Sequence, residues 1–208
     1  MFLIHRLAAP ERHYPTGARP ACKDRRVTPA PGGIALARSY FTELVAPTIR
    51  RHVPELRYAA ARLGSGSEVL GLDDEISRDH DWGLRLQLFV ADTDVTRLRS
   101  TLEDHLPTEF DGHPVRFGFS SDPAARLRID VDSVDSAAKQ HLGFDPRRDA
   151  SVQDWLSLSG QAVLKITAGE VFRDAVGDLT SLREALAWYP DDVWRYVIAC
   201  DWQRIDQE

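Results

Sequence analysis

The stretch between residues 64 and 89 constrains this chain more than any other. A Gly-Ser-Gly-Ser turn opens it, and apolar and polar residues alternate over residues 84–89 at its end. This alternation predicts a half-buried strand. If the strand already begins at Asp79, then Asp79 and Asp81 leave the same face of it, because successive side chains of a strand point to opposite faces.

Two carboxylates this close together predict a metal site. They repel each other unless a cation or protons lie between them, so the pair costs stability by itself. Hard oxygen ligands suit Mg²⁺, which usually takes one or two carboxylates and completes its shell with water and phosphate oxygens. We therefore expect Asp79 and Asp81 to bind Mg²⁺.

The turn that precedes the aspartates predicts a phosphate site. Gly64 and Gly66 tolerate backbone conformations that direct successive N–H groups toward an anion, and Ser65 and Ser67 add hydroxyl donors. A phosphate cradle beside metal-binding carboxylates is suited to phosphoryl or nucleotidyl transfer. A Walker loop is excluded, because Gly71 is followed by leucine and aspartate instead of lysine and serine or threonine.

These residues carry a family resemblance. Gly64-Ser65, followed by Ser77-x-Asp79-x-Asp81 at the start of a strand, resembles the nucleotidyltransferase superfamily that includes DNA polymerase beta and the aminoglycoside nucleotidyltransferases. Strings at residues 154–156, 169–174 and 189–192 resemble a bacterial family of uncharacterised proteins with the DUF4037 domain. The resemblance covers residues 35–208. It implies an α/β (α+β) fold, with a small mixed, twisted sheet flanked by helices.

The resemblance also implies an activity, which is Mg²⁺-dependent transfer of a nucleoside monophosphate from a nucleoside triphosphate to an acceptor hydroxyl. ATP is the expected donor, and the sequence does not identify the acceptor. Gly64, Ser65, Gly66 and Ser67 would hold the triphosphate. Asp79 and Asp81 would bind one or two Mg²⁺ ions. In the superfamily a third carboxylate from a neighbouring strand completes the site.

Residues 127–132 are the expected source of that third carboxylate. Their alternation places Asp130 and Asp132 on one face of a strand and apolar residues on the other. We expect Asp130 to be the ligand, because its apolar neighbours predict a deeper position, whereas Asp132 lies nearer the strand end. The alternative that both aspartates merely solubilise an edge strand remains open.

Composition sets the remaining limits. The chain has 208 residues, 43% of them hydrophobic, which predicts one domain with a buried core, and it has no apolar run as long as a membrane span. Its two cysteines make neither a disulfide framework nor a zinc site, which predicts a cytoplasmic location. Residues 1–33 carry a net charge of +4 and five prolines, which predicts a disordered arm ahead of a folded region at residues 34–208. The folded region carries −10, which argues against broad nucleic-acid binding.

Local patterns predict the other elements. Helical spacing begins at residue 34 and ends near Pro54, and the later part of residues 56–63 is expected to form the first strand. Further helices are predicted at residues 93–105, 135–142 and 149–158, and two more follow Thr180. Strands are predicted at residues 115–119 and 127–132, and a small hairpin at residues 169–179.

Two other functional interpretations remain open. The domain could be a non-catalytic module that binds a nucleotide or a partner protein, or a plain structural domain with an acidic edge. Longer proteins of similar sequence continue into a helical C-terminal domain. The resemblance therefore implies that a partner protein or a second copy of the chain could supply what that domain contributes.

Overall fold

A computed structural model describes residues 32–64, 66–72, 83–148, 150–187 and 189–205, with side chains to residue 200. Residues Pro31–Glu208 form one compact unit. The predicted arm at residues 1–33 lies almost wholly outside the described residues, and the first helix begins at Gly33. No helix in the described ranges has the length and apolar character needed to cross a membrane.

One helical rod begins the described chain, as the sequence predicts. It consists of α1 (Gly33–Ser39), a π-helical stretch (Tyr40–Val45) and α2 (Ala46–His52). The apolar residues at helical spacing are buried along it; they include Leu36, Tyr40, Val45 and Ile49. The rod ends before Pro54, because proline has no N–H to donate and the residue before it avoids helical conformation.

A mixed four-stranded sheet lies at the centre of the fold. Its strands are β1 (Ala59–Arg62), β2 (Leu86–Phe89), β7 (Ile129–Asp132) and β8 (Glu170–Asp174), in the order β7-β2-β1-β8. β1 pairs antiparallel with β2 and β8, and β2 pairs parallel with β7. The prediction of an α+β fold is confirmed by this sheet and the helices around it.

Both faces of the sheet are covered, and each face has its own core. The first face packs against the helical rod and α3 (Val95–His105) through residues such as Leu86, Leu88, Ile129 and Val131. The second face packs against α4 (Val134–Leu142), α6 (Gly160–Thr167) and α7 (Asp178–Ala185). Because side chains alternate along a strand, Gln87, Asp130 and Asp132 belong to the second face.

Short elements connect β2 to β7. A 3₁₀ turn (Asp92–Asp94) leads into α3, and the two-residue strands β3 (Glu109–Phe110) and β4 (His113–Pro114) follow. β5 (Arg116–Phe119) and β6 (Asp122–Leu127) then form a hairpin with its turn at residues 120–121, so most of β6 is a strand that the sequence analysis did not predict. After β7, α4 begins under a Ser133 cap and ends at Gly143, which adopts the left-handed conformation typical of this position.

The predicted hairpin at residues 169–179 is wrong. Residues 170–174 form β8, whose partner is β1 more than a hundred residues earlier, and α7 begins at Asp178. Local pattern could not show this, because a strand and a hairpin arm have the same alternation. α5 (Val152–Leu156) and α8 (Asp191–Ile205) lie as predicted. Trp155 of α5 is buried, whereas Leu156 is 41% exposed.

Candidate functional site

The glycine turn follows β1 directly. Gly64 and Gly66 have φ values of 92° and 132°, a region that glycine enters without steric cost. Ser67 begins a short 3₁₀ helix, Ser67–Leu70. Ser65, the remaining residue of the predicted phosphate cradle, lies outside the described residues.

A buried ion pair fixes this turn to the sheet. Arg62 is 1% exposed and Glu68 is 8% exposed, and the Arg62 guanidinium donates to the Glu68 carboxylate and to the Leu63 carbonyl. Arg85, at the entrance to β2, lies 3.8 Å from the same carboxylate. A Cβ on Gly66 would overlap the Glu68 side chain. Any residue larger than glycine at this position would therefore have to displace the Glu68 carboxylate. The turn is therefore held in one place.

Gln87 links the glycine turn to the predicted third carboxylate. Its Oε1 accepts from the backbone N–H of Leu63, at 2.7 Å, and its Nε2 donates to Oδ2 of Asp130, at 3.3 Å. Leu63 is the residue immediately before the turn. One side chain from the central strand therefore connects the end of β1 with the middle of β7 on the second face of the sheet.

The strand register distinguishes Asp130 from Asp132. Asp130 pairs with Gln87, which pairs with Ala61, whereas Asp132 pairs with Phe89. Since β1 runs toward the glycine turn and antiparallel to β2, Asp130 lies nearer to the turn than Asp132 does. Asp132 instead accepts a hydrogen bond from the N–H of Ser133, at 2.8 Å, at the start of α4.

The reason given for choosing Asp130 from the sequence is wrong. Asp130 is the exposed residue of the two and Asp132 is half-buried. The apolar neighbours of Asp130 face the opposite side of the strand and pack against α3, so they do not bury its carboxylate. Proximity to the glycine turn, and not depth in the sheet, separates the two aspartates.

A cleft of about 930 Å³ opens beside these residues. Gly64, Gln87, Asp130 and Asp132 line it, together with residues of α4 and α6 that the sequence analysis did not single out. These include His141 and the exposed Lys165. Their helices come together only through packing on the second face, so no local sequence pattern marks them as parts of one site.

Charges of both signs meet in the cleft. Burial lowers the pKa of His141, and the positive charge of Lys165 lowers it further, while Asp130 and Asp132 oppose this change. His141 is therefore neutral near pH 7. The described wall of the cleft thus offers acidic oxygen ligands, a neutral imidazole and an ammonium group within electrostatic reach of one another.

Asp130 has the properties of a metal ligand. It is exposed to the cleft, and within the described part of the chain its Oδ1 accepts no hydrogen bond, which leaves one hard oxygen available. No group of three or more histidine, cysteine, aspartate or glutamate side chains suitable for a metal occurs among the described residues. Asp79 and Asp81, the first two predicted ligands, lie outside those residues.

The C-terminal part of the chain matches a protein family. Residues 155–208 match the model of a family described as a domain of unknown function, DUF4037. The matched segment begins in α5 and includes α6, β8, α7 and α8, so it contains Lys165 and the edge strand that pairs with β1. No curated protein and no solved structure matches the chain.

Proposed function

We propose that the chain is a Mg²⁺-dependent nucleotidyltransferase, with ATP as the expected donor. The hydrogen-bonded connection from Leu63 through Gln87 to Asp130 supports this most directly, because it ties the end of the glycine turn to a carboxylate in the same cleft. A triphosphate at the turn and a metal at the carboxylate would then be neighbours. The DUF4037 match is compatible with this proposal but describes no activity.

The proposed roles follow from charge and position. Gly64, Ser65, Gly66 and Ser67 bind the triphosphate, and Lys165 offsets part of its negative charge from the other side of the cleft. Asp79, Asp81 and Asp130 hold Mg²⁺. The metal would supply Lewis-acid stabilisation of the phosphate oxygens.

The transfer itself forms one bond and breaks one. The acceptor hydroxyl oxygen bonds to the α-phosphorus, and the bond from that phosphorus to the bridging oxygen of the β-phosphate breaks, so pyrophosphate leaves. The hydroxyl proton passes to a carboxylate of the site, and we assign this role to Asp130. The cleft of about 930 Å³ lies within the range that drug-sized ligands occupy, roughly 300–1,000 Å³, and so accommodates a nucleotide.

Asp130→Asn and Asp132→Asn form a matched pair that tests the proposal. Both residues lie on one strand and one face, but Asp130 alone is joined to the glycine turn. We expect Asp130→Asn to weaken Mg·ATP binding roughly tenfold or more, the effect of losing a charge-assisted contact of ~1.5–3 kcal/mol, and Asp132→Asn to leave it nearly unchanged. The measurement is the rise in melting temperature on adding Mg·ATP.

Labelling with α-³²P-ATP in a lysate then separates transfer from binding. If an acceptor becomes labelled with the wild-type chain but not with Asp130→Asn, the result supports nucleotidyl transfer. Mg·ATP binding without any label favours the non-catalytic nucleotide-binding module. A wild-type chain that does not bind Mg·ATP contradicts both, and a larger loss with Asp132→Asn than with Asp130→Asn would place the third carboxylate two residues further along β7.

A further inference from the structure

A second cavity lies on the first face of the sheet, between the helical rod and the edge strand β8. It measures about 280 Å³. Most of the described lining residues are apolar, and Phe41, Tyr58 and Phe172 are the aromatic ones among them; Thr42, Arg50 and Arg173 are polar or charged. Phe41 stacks on Phe172 with 5.8 Å between ring centroids and meets Tyr58 edge-on at 6.3 Å. These rings belong to three different elements and form a fixed apolar lining.

Two arginines stand at this cavity. Arg50 comes from α2 and Arg173 from β8, and both side chains are exposed. The Arg173 guanidinium lies 5.0 Å from the centre of the Tyr58 ring. Burial raises the pKa of Tyr58, and the charges of Arg173 and Arg50 oppose this rise, which is consistent with both guanidinium groups lying near its ring.

The charge around the cavity is unusual for this protein. The chain carries a net charge of −6, yet none of the described residues that line the cavity has a carboxylate. Within the described part of the chain, neither Arg50 nor Arg173 forms a salt bridge. Two cations beside an apolar pocket without a counter-ion complement a ligand with one apolar end and one anionic end.

The backbone beside the cavity departs from regular helix. Phe41 and Thr42, which both line it, lie in the π-helical stretch. Short π-helical insertions in α-helices occur frequently at functional sites, because the wider turn redirects side chains at a cost that a regular helix avoids. Here the insertion positions Phe41 against Tyr58 and Phe172.

We infer that this cavity binds a small monocarboxylate with an apolar body, its carboxylate held by Arg50 and Arg173 and its aryl or short alkyl group against the apolar lining residues. The volume lies just below the range of drug-sized sites, which restricts the ligand to a compact molecule. The site shares none of its described lining residues with the nucleotide cleft. It is therefore independent of the proposed transferase activity.

The test uses 4-phenylbutyrate and its neutral amide, 4-phenylbutanamide, titrated into the full chain by calorimetry and by saturation-transfer NMR. We expect the carboxylate to bind and the amide to bind roughly fivefold or more weakly, because the amide lacks the charge-assisted contact. Arg50→Gln and Arg173→Gln should each weaken carboxylate binding by a similar factor. Neither exposed arginine supports the core, so both variants should fold.

Arg51→Gln is the matched control. It removes the same charge from the same turn of α2, but Arg51 does not line the cavity. Binding of 4-phenylbutyrate should remain unchanged in this variant. Equal affinity for acid and amide, an equal loss with Arg51→Gln, or no binding of the acid would each overturn the inference. The nucleotide-binding assays with the Asp130 variant would be unaffected by any of these results.

Discussion

At the scale of single residues, Glu68 is the side chain whose loss we expect to affect the stability of the glycine turn most. Its carboxylate accepts a hydrogen bond from the buried Arg62 guanidinium and also lies 3.8 Å from Arg85. Desolvating such a pair is costly, and removing one member leaves a buried charge with less compensation. The turn that is proposed to bind phosphate therefore depends on a side chain that does not line the cleft itself.

We expect Glu68→Gln to lower the free energy of unfolding by about 3 kcal/mol, because the variant removes one charge of a buried ion pair. Glu103→Gln is the comparison. Glu103 pairs with Arg116 at 3.2 Å but is 48% exposed, so its loss should cost under ~1 kcal/mol. Urea denaturation measures both values. Equal losses would show that the Arg62–Glu68 pair contributes no more than a surface contact.

At the scale of elements, the segment after α4 is tied down by one carboxylate. Asp145 accepts from the N–H and Nε of Arg147, at 3.0 and 2.9 Å, and from Nε of Arg148, at 3.0 Å. Arg147 in turn contacts Asp135 at the start of α4 and the carbonyl of Asp178 at the start of α7. This network connects two helices on the second face.

The network predicts a pH dependence. Hydrogen bonds from Arg147 hold the pKa of Asp145 below its ordinary value of 3.8, and the folded state therefore favours the ionised form. Its contribution is fully present well above that ordinary value, from about pH 5 upward, and is lost as the pH falls through the lowered pKa. Asp145→Asn should reduce the free energy of unfolding by about 1.5–3 kcal/mol at pH 7 and by a smaller amount at pH 3.

Denaturation at pH 7, 4 and 3 provides the measurement. Asp104→Asn serves as the control, since this exposed carboxylate of α3 has no hydrogen bond or ion pair within the described part of the chain. Its effect should be near zero at each pH. If Asp145→Asn lowered the free energy of unfolding equally at pH 7 and pH 3, the assigned ionisation of Asp145 would be contradicted.

At the scale of the whole molecule, the position of the first helix defines the folded unit. Leu36 and Ala37 are each 1% exposed and belong to the core on the first face, although they lie only a few residues after the predicted arm. From the composition of residues 1–30 we predict that they add nothing to a core. The two segments should therefore respond differently to truncation.

We expect deletion of residues 1–30 to leave the melting temperature nearly unchanged. Deletion of residues 1–38 should lower it by about 5 °C or more, because a fully buried leucine alone contributes ~1.5–3 kcal/mol and each kcal/mol is worth about 2–4 °C in a chain of this size. Scanning calorimetry gives both values. A drop of several degrees with the shorter deletion would show that residues 1–30 contribute to the fold.

The sequence by itself determined the local elements. Helical spacing located the rod at residues 33–52, Gly143 marked the end of α4, and alternation located β2 and β7. These predictions succeed because hydrophobic period, capping and glycine conformation depend on neighbours within a few residues. The positive φ values of Gly64 and Gly66 belong to the same class.

The tertiary structure decided the rest. β8 pairs with β1, Gln87 joins the glycine turn to Asp130, and Lys165 and His141 enter the cleft from separate helices. It also corrected the reason for preferring Asp130, because this side chain is exposed to solvent and not buried in the core. None of these contacts can be predicted from a short segment of the sequence. Which strands pair, and which face each helix covers, is decided by the burial of apolar surface across the whole chain.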